Sequence, residues 1–157
     1  MSNESLMRRE LIKWLSPCFY AKPIETEETQ KGYPDIVAHM RTQDELASVL
    51  YIECKDCSDL SCLNVCRHKI PFRPGQYAKL WEMFVTGAVS CVCMRLKDVP
   101  FSYIWPWAID PPTMHPEYIS SYENSKELKD YLMQAYAQNR KEYITKLKEA
   151  ENDRWRS

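Results

Sequence analysis

The sequence predicts an α/β fold in which helices flank a β-sheet, with a long helix at the C-terminal end. Two segments, 3–15 and 74–86, carry apolar residues at helical spacing. Between and after them lie segments rich in β-branched and aromatic residues, which favour strands. The residues from Glu117 onward contain neither Gly nor Pro, which suits an uninterrupted helix.

The N-terminal part predicts one helix followed by an antiparallel β-meander. Leu6, Leu11, Trp14 and Leu15 give the helix at 3–15 an apolar stripe, and Pro17 ends it by disfavouring helix at the preceding residue. Strands are expected at 18–24, 33–41 and 48–56. The polar stretches at 25–32 and 42–45 suit a loop and a hairpin connection.

The second half predicts another helix and two more strands. After an irregular segment at 57–74, Pro74 suits a first helical turn and Gly87 a C-terminal cap. The apolar stripe of this helix is Tyr77, Leu80, Trp81, Phe84 and Val85. Strands are expected at 88–96 and 101–109, so the second helix separates three strands from two.

The chain is expected to divide into a core at 1–110, with a Cys-rich loop at 57–70, and a helical extension at 111–157. Asn124 with Glu127 three residues later resembles a capping arrangement for the long helix. Acidic and basic residues balance from Glu117 onward, which is not typical of a nucleic-acid-binding tail. We expect the extension to pack on the core or to form a dimer.

Composition excludes several classes of protein. A formal net charge of −1 argues against a protein that holds nucleic acid by charge alone. No apolar run is long enough to span a membrane. The first residues lack the apolar segment of a secretory signal. These features predict an intracellular protein of prokaryotic or viral origin, with no membrane partner.

Seven cysteines are many for such a protein. Four potential ligands follow the spacing C-x4-C-x3-C-x-H: Cys57, Cys62, Cys66 and His68. They suit a structural Zn²⁺ ion, with a disulfide or free thiols as the alternatives. Cys91 and Cys93 alternate with Val92 on an expected strand, so they are expected to lie in the sheet.

The sequence also contains the groups that phosphodiester hydrolysis needs. A divalent cation held by carboxylates can activate water and neutralise the phosphate. Alternate side chains of a strand share a face, so Glu53 and Lys55 point the same way. Asp35 begins the neighbouring strand and can converge with Glu53 on one ion. The backbone carbonyl of Cys54 is a further candidate ligand.

The residues GYPDIVAH, followed by YIECK, resemble the bipartite signature of the PD-(D/E)XK, or restriction-endonuclease-like, nucleases. RRELIKWL, KLWEMF and VSCVCMRLKDVPFSYI extend the resemblance to the αβββαβ core of the archaeal Holliday junction resolvases, over roughly residues 6 to 107. The resemblance implies a mixed central β-sheet, metal binding by Asp35 and Glu53, and orientation of the attacking water by Lys55. Some nucleases of this superfamily carry an iron–sulfur cluster, which adds a candidate occupant for the Cys cluster.

Many of these enzymes carry another acidic residue in the first helix, where this chain has Arg8. Glu10 is one candidate for the third acid, although two residues on a helix correspond to a rotation of about 200°. Glu4, one turn before Arg8, is the other.

Several side chains near the second helix are candidates for contact with nucleic acid. Gln76 lies on that helix, where polar residues of this fold assist water or phosphate positioning. No acidic residue occurs between Leu60 and Trp81, and cations there suit contact with DNA phosphates. These cations are Arg67, Lys69, Arg73 and Lys79. A merely solvent-exposed surface is the alternative.

The sequence as a whole predicts a Mg²⁺- or Mn²⁺-dependent DNA endonuclease. A homodimer that cleaves branched DNA, as a Holliday junction resolvase does, is the more specific expectation. A catalytically inactive nucleic-acid-binding or regulatory protein on the same fold is the first alternative. A small interaction protein organised by a metal at the Cys/His cluster is the second.

Overall fold

A computed structural model describes residues 3–24, 32–41, 49–65, 69–109 and 119–156. Their elements are α1 (Asn3–Leu15), β1 (Phe19–Pro23), β2 (Ile36–Met40), β3 (Val49–Cys57), α2 (Gln76–Val85), β4 (Val89–Leu96), β5 (Ser102–Ile104), α3 (Pro106–Ile109), β6 (Ser120–Ser121), α4 (Ser125–Gln134) and α5 (Tyr136–Arg156). The first six confirm the expected α/β class and αβββαβ order. No helix in these ranges is long and apolar enough to cross a membrane.

The sheet is mixed and contains six strands that follow one another in chain order. β1, β2 and β3 pair antiparallel, so the predicted meander is confirmed. β3 and β4 pair parallel because α2 carries the chain back across the sheet between them. β4, β5 and β6 pair antiparallel. The connections expected at 25–32 and 42–45 lie outside the described residues, except for Gly32.

Side-chain alternation gives the sheet two buried faces. On one face Ile52, Cys54, Cys91 and Cys93 pack with α1 and with Leu128 of α4. The two β4 cysteines are therefore sheet residues, as expected. The other face contains Cys57 of β3 and Val92, Met94 and Leu96 of β4, which pack with Leu80 of α2. By the same alternation Glu53 and Lys55 point to this second face, beneath α2.

Two predicted elements differ in the structure. The strand expected at 101–109 is wrong beyond Ile104, where α3 begins at Pro106. Proline has no N–H for a strand ladder and fits the first turn of a helix. The predicted long C-terminal helix is present as α5, but it is separate from α4, and the Tyr136 ring at its start lies 5.3 Å from that of Trp105, centre to centre.

The residues predicted to cap α4 and α2 do so in the structure. The backbone N–H of Glu127 donates to Asn124 Oδ1 at 3.1 Å, which confirms the predicted cap of α4. Gly87 follows α2 with φ of 102°, as its predicted capping role requires. The buried face of α2 is rotated from the predicted stripe, however. It contains Gln76, Leu80, Met83 and Phe84, whereas Val85 is 51% exposed.

Candidate active site

Glu53 and Lys55 form the buried centre of the candidate site. They are two residues apart on β3, so both side chains lie under α2. Only 1% of Glu53 and 2% of Lys55 is exposed. Lys55 Nζ lies 3.5 Å from Glu53 Oε1. Ionisable side chains are rarely buried so completely unless they are paired, and this pair lies inside the protein.

Gln76, in the first turn of α2, joins these two groups. Lys55 Nζ donates to Gln76 Oε1 at 2.6 Å, and Gln76 Nε2 donates to Glu53 Oε1 at 2.9 Å. The backbone N–H of Arg73 also donates to Gln76 Oε1, at 2.8 Å, and so fixes the amide itself. The ring of Phe72 covers Lys55, with Nζ 5.7 Å from the ring centre. The orientation of both charged groups is therefore set by the residues that begin α2.

Asp35 reaches the same place from the neighbouring strand. Its backbone N–H donates to the carbonyl of Ile52 at 3.0 Å, and its Oδ2 accepts from the backbone N–H of Cys54 at 2.9 Å. These two bonds hold its carboxyl group close enough to that of Glu53 to raise the pKa of Glu53. Asp35 is thus positioned by β3 itself. The role of the Cys54 carbonyl as a metal ligand stays a prediction.

The electrostatics of Glu53 are unusual for a carboxylic acid. Its pKa is raised from 4.5 to about 9, first by burial and then by the adjacent Asp35 carboxyl, and Lys55 lowers it by less than these two raise it. Its Oε2 is buried and has no hydrogen-bond partner among the described residues. A proton or a cation would satisfy that oxygen. Two carboxylates with one free buried oxygen fit a hard divalent cation such as Mg²⁺.

The described His, Cys, Asp and Glu residues include no group of three that could hold a metal ion. A cation held by Asp35 and Glu53 would therefore rely on water and substrate oxygens for the rest of its coordination, which Mg²⁺ commonly does. The carboxylates present fit such an ion, although they do not enclose it.

Two loops meet beside the site without a side chain between them. Gly32, with φ of 92°, lies so close to Gly75 that a Cβ atom at Gly32 would lie 2.6 Å from the Gly75 carbonyl oxygen. Only glycine fits both the backbone conformation and the space. This contact brings the segment before Asp35 against the start of α2, where Gln76 lies.

The first helix contributes Arg8 to the site. Arg8 Nη1 lies 3.7 Å from Asp35 Oδ1, and its Nη2 donates to Ser5 Oγ at 3.1 Å. Glu10 instead forms an ion pair with Arg95 of β4, and 48% of its side chain is exposed. The structure thus brings Arg8 to the Asp35 carboxylate, a role for Arg8 that was not predicted from the sequence. The available signal was its position, because Arg8 stands where the nucleases that the sequence resembles carry an acidic residue.

Three of the four cations predicted to contact nucleic acid lie in the described residues. Lys69 and Arg73 have exposed side chains. Lys79 Nζ lies 3.6 Å from Glu82 and 5.4 Å from the ring centre of Tyr33. Arg67 lies outside the described residues. The exposed pair is open to a ligand, whereas Lys79 is already engaged by neighbours.

The Cys/His cluster is described only in part. Cys57 and Cys62 are free thiols, and Cys62 Sγ donates to Asp98 Oδ2 at 3.1 Å. Cys66 and His68 lie outside the described residues. The structural Zn²⁺ or iron–sulfur site therefore stays a prediction.

An open cleft of about 540 Å³ lies on the uncovered part of the sheet, next to the site. Tyr33 and Tyr51, each two residues before a site carboxylate, line it with ring centres 6.4 Å apart. Lys22 and His39 line the same cleft. His39 is exposed there, on the same face of β2 as Val37.

The chain was compared with known proteins. No protein-family model matches it, and no curated protein matches it significantly. It is similar in structure to Hjc of Archaeoglobus fulgidus, a Holliday junction resolvase from an archaeal hyperthermophile. That similarity has a TM-score of 0.49 and a sequence identity of 19%, and it covers 72% of this chain and 80% of the resolvase.

Proposed function

We propose that this protein is a Mg²⁺- or Mn²⁺-dependent DNA nuclease that hydrolyses phosphodiester bonds at Asp35, Glu53 and Lys55. The observation that carries the proposal is the pair of carboxylates on neighbouring strands, one with an unsatisfied buried oxygen. A buried acceptor without a donor destabilises a fold. Such groups with strongly shifted pKa values are concentrated at functional sites.

The residues have distinct roles in this proposal. Asp35 and Glu53 would hold the cation, which when bound polarises the phosphate and makes water more acidic. An ammonium has three N–H donors, and Lys55 uses one on Gln76. A remaining donor can orient the attacking water beside Glu53. Gln76 keeps both groups in place, and Phe72 shields Lys55 from bulk solvent.

Nucleic acid is the substrate class that suits this centre. The motif GYPDIVAH with YIECK resembles that of the PD-(D/E)XK nucleases. Lys69 and Arg73 are exposed in the segment that leads into α2, where they can contact phosphates that flank the cleaved bond. They supply positive charge next to the site, although the net charge of the chain is −1.

A cleavage assay tests the proposal. Labelled linear duplex, single-stranded and four-way-junction DNA are incubated with Mg²⁺, Mn²⁺ or EDTA. Wild type should cleave at least one substrate with metal, and Asp35→Asn, Glu53→Gln and Lys55→Met should each lose about 100-fold or more in rate. Asp56→Asn is the matched control, because it removes the next carboxylate of β3, which bonds to Ser58 instead.

Two results would contradict this proposal. Wild-type rates in any of the three variants would exclude that residue from the centre. Metal-independent DNA binding by the wild type, with no cleavage of any substrate, would instead support an inactive nucleic-acid-binding protein.

Junction cleavage by a homodimer is the more specific form of the proposal. Paired cuts in a two-fold-symmetric junction require two sites related by the same symmetry. Light scattering at assay concentrations gives the mass in solution. A monomer that cuts linear DNA as well as junctions would leave a nuclease but exclude the resolvase subtype.

A further inference from the structure

We infer that Arg8 is a catalytic residue that binds the scissile phosphate, in a site that works with a single divalent cation. This inference rests on the proposed nuclease function. It assigns a role to the one helical side chain that the structure brings to Asp35.

Arg8 is close to Asp35 without being locked to it. The separation of 3.7 Å between Nη1 and Oδ1 exceeds the length of a hydrogen bond. Ser5 Oγ accepts from Nη2 and so steadies one edge of the guanidinium. Arginine has five N–H donors in a planar fork that matches phosphate oxygens. Donors of Arg8 therefore remain for an incoming anion.

The two cations of the site, Lys55 and Arg8, differ in their exposure to solvent. Lys55 is 2% exposed and bonded to Gln76, so it cannot reach a phosphate that arrives from solvent. The side chain of Arg8 is 29% exposed and that of Asp35 is 21% exposed. A phosphate that approaches the carboxylates meets Arg8 first. Lys55 is thus suited to the attacking water and Arg8 to the phosphate.

The charges around the site support the same assignment of Arg8 to the phosphate. Asp35 and Glu53 are the acidic groups at the centre, and Glu10 is engaged by Arg95 on β4. Among the described residues no third ligand joins them. Two carboxylates suffice for one hydrated Mg²⁺ ion. A guanidinium next to Asp35 would repel a second cation and can itself supply positive charge to the phosphate in the transition state.

The competing explanation is that Arg8 only neutralises Asp35 as a partly exposed ion pair, which would contribute little. Four variants separate the two: Arg8→Gln, Arg8→Lys, Arg8→Glu and, as a control from the exposed side of α1, Lys13→Gln. The measurements are kcat and KM for the substrate that wild type cleaves best, and Mn²⁺ affinity by calorimetry.

Under the inference, Arg8→Gln lowers kcat about 100-fold while Mn²⁺ binds several-fold more tightly, because a transition-state donor and a cation next to the metal site are both removed. Arg8→Lys recovers part of the rate. Arg8→Glu binds Mn²⁺ at least as tightly as Arg8→Gln but remains slow. Lys13→Gln resembles wild type in both measurements.

Opposite shifts in rate and metal affinity cannot come from misfolding, which would lower both. Unchanged kcat in Arg8→Gln, or wild-type rates in Arg8→Glu, would overturn the inference and leave the nuclease proposal intact. A combined loss of kcat and Mn²⁺ affinity in Arg8→Gln would also overturn it. A wild type that cleaves no substrate would refute the proposed function first, and this role of Arg8 with it.

Discussion

The ammonium of Lys55 donates to the side-chain carbonyl of Gln76 at 2.6 Å, and both side chains are buried. Gln76 thus bonds to both Lys55 and Glu53. Its amide can satisfy both because one end accepts and the other donates. The position of Gln76 at the start of α2 therefore connects that helix to the chemistry of β3.

Replacing this amide should impair catalysis more than folding. We expect Gln76→Ala to lower the cleavage rate about 10–100-fold, since Lys55 and Glu53 lose their shared orienting partner. Gln76→Glu should be similarly slow, because it accepts from Lys55 but cannot donate to Glu53. Ala78→Ser, at an exposed position of the same helix, is the control. A wild-type cleavage rate in Gln76→Ala would show that Gln76 does not orient Lys55 and Glu53 for catalysis.

The raised pKa of Glu53 predicts how stability changes with pH in the absence of metal. The unfolded chain loses the Glu53 proton near the ordinary value of 4.5, whereas the folded protein keeps it until about pH 9. Folding therefore binds a proton in that window, and the stability contribution of Glu53 falls as pH rises from 4.5 to 9.

Urea unfolding in EDTA between pH 5 and 8 measures this effect, with Glu53→Gln as the reference that cannot titrate. The free energy of unfolding of wild type relative to Glu53→Gln should decrease steadily as pH rises. Parallel curves for the two proteins would show that Glu53 is already ionised in the fold.

Metal should stabilise the protein through the same carboxylates. At a Mg²⁺ or Mn²⁺ concentration 100 times the dissociation constant, the folded state gains about 2.7 kcal/mol. Removal of the ion with EDTA should therefore lower the Tm of wild type, and Asp35→Asn should show no such change. An equal metal-dependent shift in Asp35→Asn would place the ion elsewhere in the molecule.

The contact between Gly32 and Gly75 can be tested with a matched pair of alanine variants. Gly87→Ala introduces a side chain at positive φ with no atom within 4 Å in the described structure, so it should cost roughly 1–2 kcal/mol. Gly32→Ala adds a collision with the Gly75 carbonyl to the same strain. We expect Gly32→Ala to be the less stable variant in chemical unfolding and the only one of the two to lose cleavage activity.

The C-terminal region should contribute to the stability of the whole fold. Leu128 of α4 is fully buried in the same cluster as α1. Leu128→Ala should lower the free energy of unfolding by about 2–5 kcal/mol. Met133→Ala, at an exposed position of the same helix, should have little effect. Equal stabilities would mean that α4 unfolds independently of the sheet.

Much of the centre could be anticipated from the sequence because its signals are local. Strand alternation was enough to place Glu53 and Lys55 on one face, and the turn before Asp35 set the neighbouring strand. Gln76 was identified as a candidate from its helix, although not as a buried residue. Its burial depends on the rotation of α2 about its axis, which the packing of Leu80 and Phe84 determines.

Other features depend on tertiary contacts that a single sequence does not contain. Nothing in the sequence around Arg8 or Asp35 indicates that α1 and the turn before β2 bring these two side chains together. The break between α4 and α5 follows from the aromatic partners of Tyr136, which include Trp105 and Trp107. The strand predicted at 101–109 failed because its buried aromatic residues are equally typical of a short buried helix.

The parallel pairing of β3 with β4 has a consequence for the order of folding. The antiparallel strands before it can form through short connections, but this pair requires the whole crossover through α2 to close. Gln76 arrives on that crossover. A partly folded chain could therefore hold Asp35 and Glu53 on paired strands while Lys55 still lacks its acceptor, so we expect competence for cleavage to appear among the last events of folding.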